Sequence, residues 1–298
     1  MQIGPVVEIP EIEGRQARAF FHSGHDYMRK KQFELALLMF GRVLKIDPII
    51  SESHYFRGWI YFLKEDYQLA IDEFTLRLIK QPACSASMYF KGLCFEQLNE
   101  DLDAMYQYTS AIEAEEGFVS AYFARGQLRA ALCDFIGAID DYSFAIALDP
   151  EFADGWYVRA VALEECQEFA RALSDYNRAI ECDSTHTDAL FMRAVMFNRS
   201  GSVDKALSDL DRCLQCDPTM AEAWAEKANI LRAAGSFAQA LIFISKAIDL
   251  DADPFFVRER AAIYMDLREP DMGFKEFSNF VYSLNQEKTQ ASGDFLIQ

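Results

Sequence analysis

Cys213 and Cys216 are separated by two residues, the half-site spacing of a metal centre. A closed zinc site needs four ligands, and no second pair accompanies these two. A buried cysteine otherwise behaves as a small hydrophobe, so core packing is the expectation, with Cys213 and Cys216 both at apolar helix positions. His22 and His25 share a helix face at i, i+3, with His54 further along, but no HExxH motif surrounds them. They are read as surface or groove histidines. No Gly-rich phosphate loop, nucleophile elbow or carboxylate pair in a mixed α/β setting occurs. The expectation is a chain that is not an enzyme and needs no cofactor and no metal.

The charged residues are more regular. Basic side chains recur at Arg57, Lys91, Arg125, Arg159, Arg193 and Lys227, and four are followed sixteen residues later by Glu73, Asp141, Asp175 and Asp209. This stripe could pass for an anion site, but the acids turn it into a ladder of ion pairs between stacked helices. Exposed pairs of this kind contribute only ~0–1 kcal/mol each.

Such spacing requires repeated elements. Alanine stands at Ala36, Ala70, Ala104, Ala138, Ala172, Ala206 and Ala240, each 34 residues after the last. Twelve residues before each is Gly24, Gly58, Gly92, Gly126, Ala160, Ala194 or Ala228, and four after each is Phe40, Phe74, Tyr108, Tyr142, Tyr176, Leu210 or Ile244. Large apolar residues such as Phe20, Tyr122, Trp156 and Leu190 precede the alanines by sixteen, His54 being the exception. Pro48, Pro82, Pro150 and Pro218 close units at one phase. This is a pair of helices per unit. Small residues let helix A approach helix B, aromatics fill the space between, and proline ends helix B.

The pattern resembles the tetratricopeptide repeat family, whose period and W–LG–Y–A–F–A–P spacing it follows. Units begin at Ala17, Ser51, Ser85, Val119, Ala153, Thr187 and Ala221, with a cap-like eighth near Pro254 that slips by one residue at Asp251-Ala-Asp-Pro254 and keeps Phe277 and Phe280 in core phase. The resemblance implies an all-α, right-handed superhelical α-solenoid of stacked helix-turn-helix repeats over residues 17–284. A short extension (1–16) and a polar tail (285–298) flank it. No linker divides the array, so it reads as one domain.

In this family helices A line a concave groove that holds partner segments. The matching positions carry Phe21, Tyr55, Tyr89, Phe123, Tyr157 and Phe191. Phe56, Trp59, Phe62, Phe90 and Leu93 exceed what packing within a hairpin needs. An aromatic anchor surface is therefore expected at Tyr55, Phe56, Trp59, Phe62, Tyr89, Phe90 and Phe123, unless Val6, Val7, Ile9 and Ile12 of the extension cover it. Later units place Asp154, Glu164, Asp188 and Glu222 inward with little basic compensation beyond Arg199 and Arg232. That suits a partner segment with apolar anchors and a basic flank.

Two family functions are excluded residue by residue. The clamp for acidic C-termini of heat-shock chaperones needs Lys, Arg and Asn where this chain has Phe21, His25, Phe56, Ala86 and Phe90. The asparagine ladder of sugar-transferase arrays is replaced by His22, Phe56, Phe90, Ala124, Val158, Met192 and Glu226.

The 298 residues carry 47 acidic against 29 basic side chains, and 47 − 29 leaves −18. That charge argues against a nucleic-acid partner or an anionic membrane surface. Apolar residues at 51% argue against a disordered acidic chain. No apolar run is long enough for a membrane span, and the start lacks the basic and apolar regions of a secretory signal. Seven scattered cysteines suit a reducing, cytoplasmic setting. The expectation is a non-catalytic adaptor or scaffold, the alternative an obligate accessory or structural subunit that positions an enzyme or its substrate.

Overall fold

The computed structural model describes residues 14–268, 271–275 and 278. Among them are fifteen α-helices described from end to end, further helical residues at 271–275 and 278, and no strand. They form hairpins α1/α2 (Arg15–Arg29, Phe33–Ile46), α3/α4 (Glu52–Leu63, Tyr67–Lys80), α5/α6 (Ser85–Gln97, Asp101–Ala114) and α7/α8 (Val119–Ala131, Phe135–Leu148). Then come α9/α10 (Ala153–Glu165, Phe169–Cys182), α11/α12 (Thr187–Arg199, Val203–Cys216), α13/α14 (Ala221–Ala233, Phe237–Leu250) and α15 (Pro254–Asp266). This is the all-α solenoid architecture of stacked helical hairpins. Phe277 and Phe280, the extension through Glu13 and the tail lie outside the described residues.

Two compact units divide the packing, one holding α1–α8 and the other α9–α15. All seven phase-locked alanines, four in the first unit and three in the second, are fully buried. The close approach of the helices is set by glycine. A Cβ on Gly92 would lie 2.6 Å from Tyr108 Cε1, and one on Gly58 would lie 2.9 Å from Phe74 Cε1. No side chain fits there while the opposing ring holds its place.

Helix ends repeat as faithfully as the core. Asp47, Asp149, Asp183 and Asp217 each accept the backbone N–H two residues on, at 2.8–3.2 Å, and so turn the chain out of helix B. The turn between A and B carries a residue with positive φ at Lys31, Glu65, Asn99, Cys133, Gln167, Gly201 and Gly235. Only two of these are glycine, so five side chains occupy the left-handed region that L-residues rarely adopt.

The basic stripe is the ladder that the spacing predicts. Arg57 meets Glu73 at 2.6 Å, Arg125 meets Asp141 at 2.7 Å, Arg159 meets Asp175 at 2.7 Å and Arg193 meets Asp209 at 2.7 Å. All four acids are buried. The guanidinium also reaches the preceding hairpin. Arg125 donates to Thr109 Oγ1 at 3.0 Å, so one side chain joins three helices.

The eighth unit keeps this scheme one residue out of step. Pro254 occupies the first turn of α15, behind Asp253, which accepts the Phe255 N–H at 2.6 Å. Arg260 contacts Ser245 fifteen residues back rather than sixteen, and positive φ falls at Arg268, 33 residues after Gly235. Gly273, where earlier units have alanine, is buried.

Candidate functional site

In the first unit, helices A bring the expected aromatics together but bury three of them. Tyr55 is 2% exposed, Phe56 6% and Phe90 7%. Phe56 stacks on Phe40 at 5.4 Å and meets Phe21 edge-on at 5.7 Å. Phe90 repeats the arrangement one hairpin later, stacking on Phe74 at 6.0 Å and meeting Phe62 at 5.8 Å. These rings fill the seam between successive hairpins. The expectation that they form an open anchor surface is corrected on this point, because packing between repeats, not only within them, consumes aromatics.

Trp59, Phe62, Tyr89 and Phe123 are half-buried and keep part of their surface toward solvent. Tyr89 is held between Phe90 and Phe118, each at 5.3 Å. Its burial pushes the phenol ionisation upward. His25 lies against Phe56 at 5.6 Å, and burial lowers its basicity. His22 is exposed.

The second unit offers different chemistry. Asp154, Asp188 and Glu222 stand at one phase of α9, α11 and α13, and all three are exposed. Asp154 is 3.3 Å from His186 Nε2, whose Nδ1 accepts the Ala189 N–H at 3.2 Å and caps α11. Glu164 is not open. It accepts the Tyr176 hydroxyl at 2.6 Å and meets Arg199 at 3.5 Å. Burial and that bond keep the Tyr176 phenol protonated far above its ordinary range. Arg232 is likewise committed, to Asp266 at 2.6 Å and Glu259 at 3.4 Å. Asp188 and Glu222 therefore have no basic partner within ion-pair distance among the described residues.

The same helices carry apolar residues that the sequence reading did not single out as a site. Val158, Val161, Phe191, Met192 and Val195 are half-buried, open on one side. Their signal was present, since valine and methionine stand where the first unit has Phe56, Trp59 and Phe90. A row of carboxylates beside an apolar strip can bind a cation and an aliphatic side chain of one segment.

The cysteines do not assemble. Cys213 is buried with its sulfur 3.4 Å from Met220 Sδ, and burial raises its pKa to about 11. Cys216 is exposed, not in an apolar core position as expected. Among the described residues no cluster of three His, Cys, Asp or Glu groups could hold a metal ion. No helix among them is long and apolar enough to cross a membrane.

A tetratricopeptide repeat family model matches residues 23–81 and 117–186. The model of the N-terminal acetyltransferase A auxiliary subunit matches residues 155–294. No curated protein matches the chain. Among solved structures, the C-terminal part of a TPR repeat-containing protein from Cytophaga hutchinsonii superposes with TM-score 0.66 at 15% identity, covering 80% of this chain and 98% of that one. PilF of Pseudomonas aeruginosa gives 0.62 at 15% identity, covering 72% of this chain and 97% of that one. YrrB, described as a TPR protein with an unusual peptide-binding site, gives 0.53 at 23% identity, covering 61% and 94%. At these identities the likeness is one of fold. The 34-residue phase, the small-residue and aromatic core and the family model over residues 23–81 and 117–186 together mark an array of tetratricopeptide repeats.

Proposed function

We propose that the chain is a non-catalytic adaptor that binds a protein segment on its helices A, with apolar anchors and a basic flank. The observation that carries this reading is the row Asp154, Asp188 and Glu222, exposed and under-compensated beside half-buried Val161, Met192 and Val195. Carboxylates without partners attract cations and steer their approach, while apolar contacts hold them once docked. In the first unit Trp59, Phe62, Tyr89 and Phe123 supply partly open aromatic surface for larger anchors. A segment ending in acidic residues, such as a heat-shock chaperone C-terminus, would meet like charge. The array is taken as continuous over residues 17–284 because the 34-residue phase runs through it. The seven free cysteines accord with the reducing cytoplasm.

The test uses an amphipathic peptide with leucine on one face and lysine on the other, followed by fluorescence anisotropy. Asp188→Lys with Glu222→Lys should slow association and flatten its salt dependence. Val161→Ser with Val195→Ser should instead speed dissociation. Unchanged binding in both variants overturns the reading.

A second reading is an accessory subunit that positions an enzyme. The match of residues 155–294 to the acetyltransferase auxiliary subunit favours it. It expects the chain isolated from its source to carry acetyl transfer onto peptide N-termini, an activity the chain alone lacks. Isolation without that activity removes this reading and leaves the first intact.

A further inference from the structure

Helices B give the repeats an internal control. The outward stripe of each lies at four phases spaced i, i+3, i+7 and i+10. In α10 these phases hold Arg171, Ser174, Arg178 and Glu181, and in α12 Lys205, Ser208, Arg212 and Gln215. A polar stripe is therefore all the fold requires there. In α2 the same phases hold Leu35, Leu38, Arg42 and Lys45, and in α4 Leu69, Asp72, Leu76 and Ile79. The five aliphatic ones are 42–67% exposed, whereas α6, α8 and α14 carry one large exposed apolar residue each there, Tyr106, Phe144 and Ile242. Five aliphatic side chains on the outer face of two neighbouring hairpins are not explained by stacking. Scattered exposed leucines are ordinary, but a contiguous apolar stripe marks a contact surface.

The α2 half of the stripe reverses the charge of the chain as a whole, while residues 51–84, which hold α4, carry four basic against five acidic side chains. Residues 17–50 hold six basic against three acidic side chains, in a chain of net charge −18. Arg42 and Lys45 complete the α2 stripe at the phases where α4 has Leu76 and Ile79. Lys31 stands at the α1–α2 turn, where a hollow of about 350 Å³ is lined by Lys31, Phe33, Leu35 and Lys64 among others. Lys31, Arg42 and Lys45 are exposed and enter no ion pair among the described residues. Basic side chains interleaved with aliphatic ones complement an amphipathic helix whose polar face is acidic.

From this we infer that the outer face of α2 and α4 docks an acidic amphipathic helix of a protein partner, at a site separate from the carboxylate row of the second unit. Its leucines would cover Leu35, Leu38, Leu69 and Leu76, and its carboxylates would face Lys31, Arg42 and Lys45. An anionic membrane is the other surface with this chemistry, and the net charge of the whole chain disfavours it.

The probe is an 18-residue helical peptide with leucine on one face and glutamate on the other, titrated against the full chain by fluorescence anisotropy. Binding should weaken at least tenfold in Leu38→Ser with Leu76→Ser, exposed positions whose change leaves the far-ultraviolet spectrum intact. Lys31→Glu with Arg42→Glu and Lys45→Glu should also cost tenfold or more and remove the salt dependence. Asp188→Lys with Glu222→Lys should leave this peptide's affinity unchanged, so that failure here is separable from failure of the carboxylate row. Absence of binding, or binding that survives both sets of changes on α2 and α4, overturns the inference. Recruitment to phosphatidylserine vesicles that those changes abolish, without binding of the glutamate helix, assigns the face to membranes and overturns it equally.

Discussion

Arg193 donates to both oxygens of Asp209, from Nε at 2.7 Å and from Nη2 at 2.8 Å. Its third nitrogen donates to Asn177 at 2.8 Å, so the guanidinium is satisfied from sixteen residues ahead and sixteen behind. Asp209 is buried. Arg193→Met should thus cost ~3 kcal/mol in chemical denaturation, because the buried carboxylate loses its bidentate cation and keeps only the half-exposed Arg212 at 3.9 Å. Combining it with Asp209→Leu should recover much of that loss. A double variant as unstable as the single one would show that the pair does more than cancel its own burial.

Gly58→Ala should destabilise by ~1–3 kcal/mol, since the new methyl meets the Phe74 ring. The chain itself names the compensation. Where helix A carries Ala194 or Ala228, helix B answers with Leu210 or Ile244 instead of an aromatic, although Ala160 faces the buried ring of Tyr176, so a ring can also be accommodated beside alanine. Gly58→Ala with Phe74→Leu should therefore be less damaged than the sum of its parts, as read by thermal melting.

At the A–B turn, opposite signs are expected at one repeat phase. Glu65, at φ 63°, should gain about 0.5–1 kcal/mol on change to glycine. Gly235, at φ 75°, should lose ~1–2 kcal/mol on change to alanine. Equal effects at both positions would mean that local contacts, not backbone conformation, govern the turn.

Thiol reactivity should separate the cysteines by burial. Burial raises the Cys94 thiol to about 12 and Cys213 to about 11, so neither forms thiolate near pH 8. Exposed Cys133 and Cys216 should alkylate within the native state, and the other two only after unfolding. Mass spectrometry after timed quenching reads the order. Labelling of Cys94 at the rate of Cys133 would contradict the packing.

The repeat was legible because its strongest constraints are steric and act within one hairpin. Gly92 against Tyr108 cannot be rearranged without loss, so both residue types stay visible at fixed spacing. Phe56 and Phe90 were misread for the complementary reason. Nothing in a hairpin's own spacing shows how much of the seam to the next one a side chain must fill. The left-handed turn was invisible at Lys31 and Cys133, because their side chains give no hint of it. The backward bonds of the arginines were hidden by varied acceptors, Thr109 for Arg125 and Asn177 for Arg193. The slip at the eighth unit was readable at Asp251-Ala-Asp-Pro254, and Arg260 and Arg268 carry its imprint in three dimensions.

The arginines that reach both ways, Arg125 and Arg193, make the 34-residue segments they join alike at their seams. The segments of Arg125 and Arg193 each bring one cation with an acid ahead of it and an acceptor behind, while Lys91, with Gln107 ahead, and Lys227, with Phe243 ahead, depart from the set. Duplicating a whole 34-residue segment such as residues 193–226 would keep each cation sixteen residues from its acid and its acceptor, whereas a length that is not a multiple of 34 would not. At those seams, gain or loss of a complete 34-residue cassette conserves the pairing, and a single side chain sets that arithmetic.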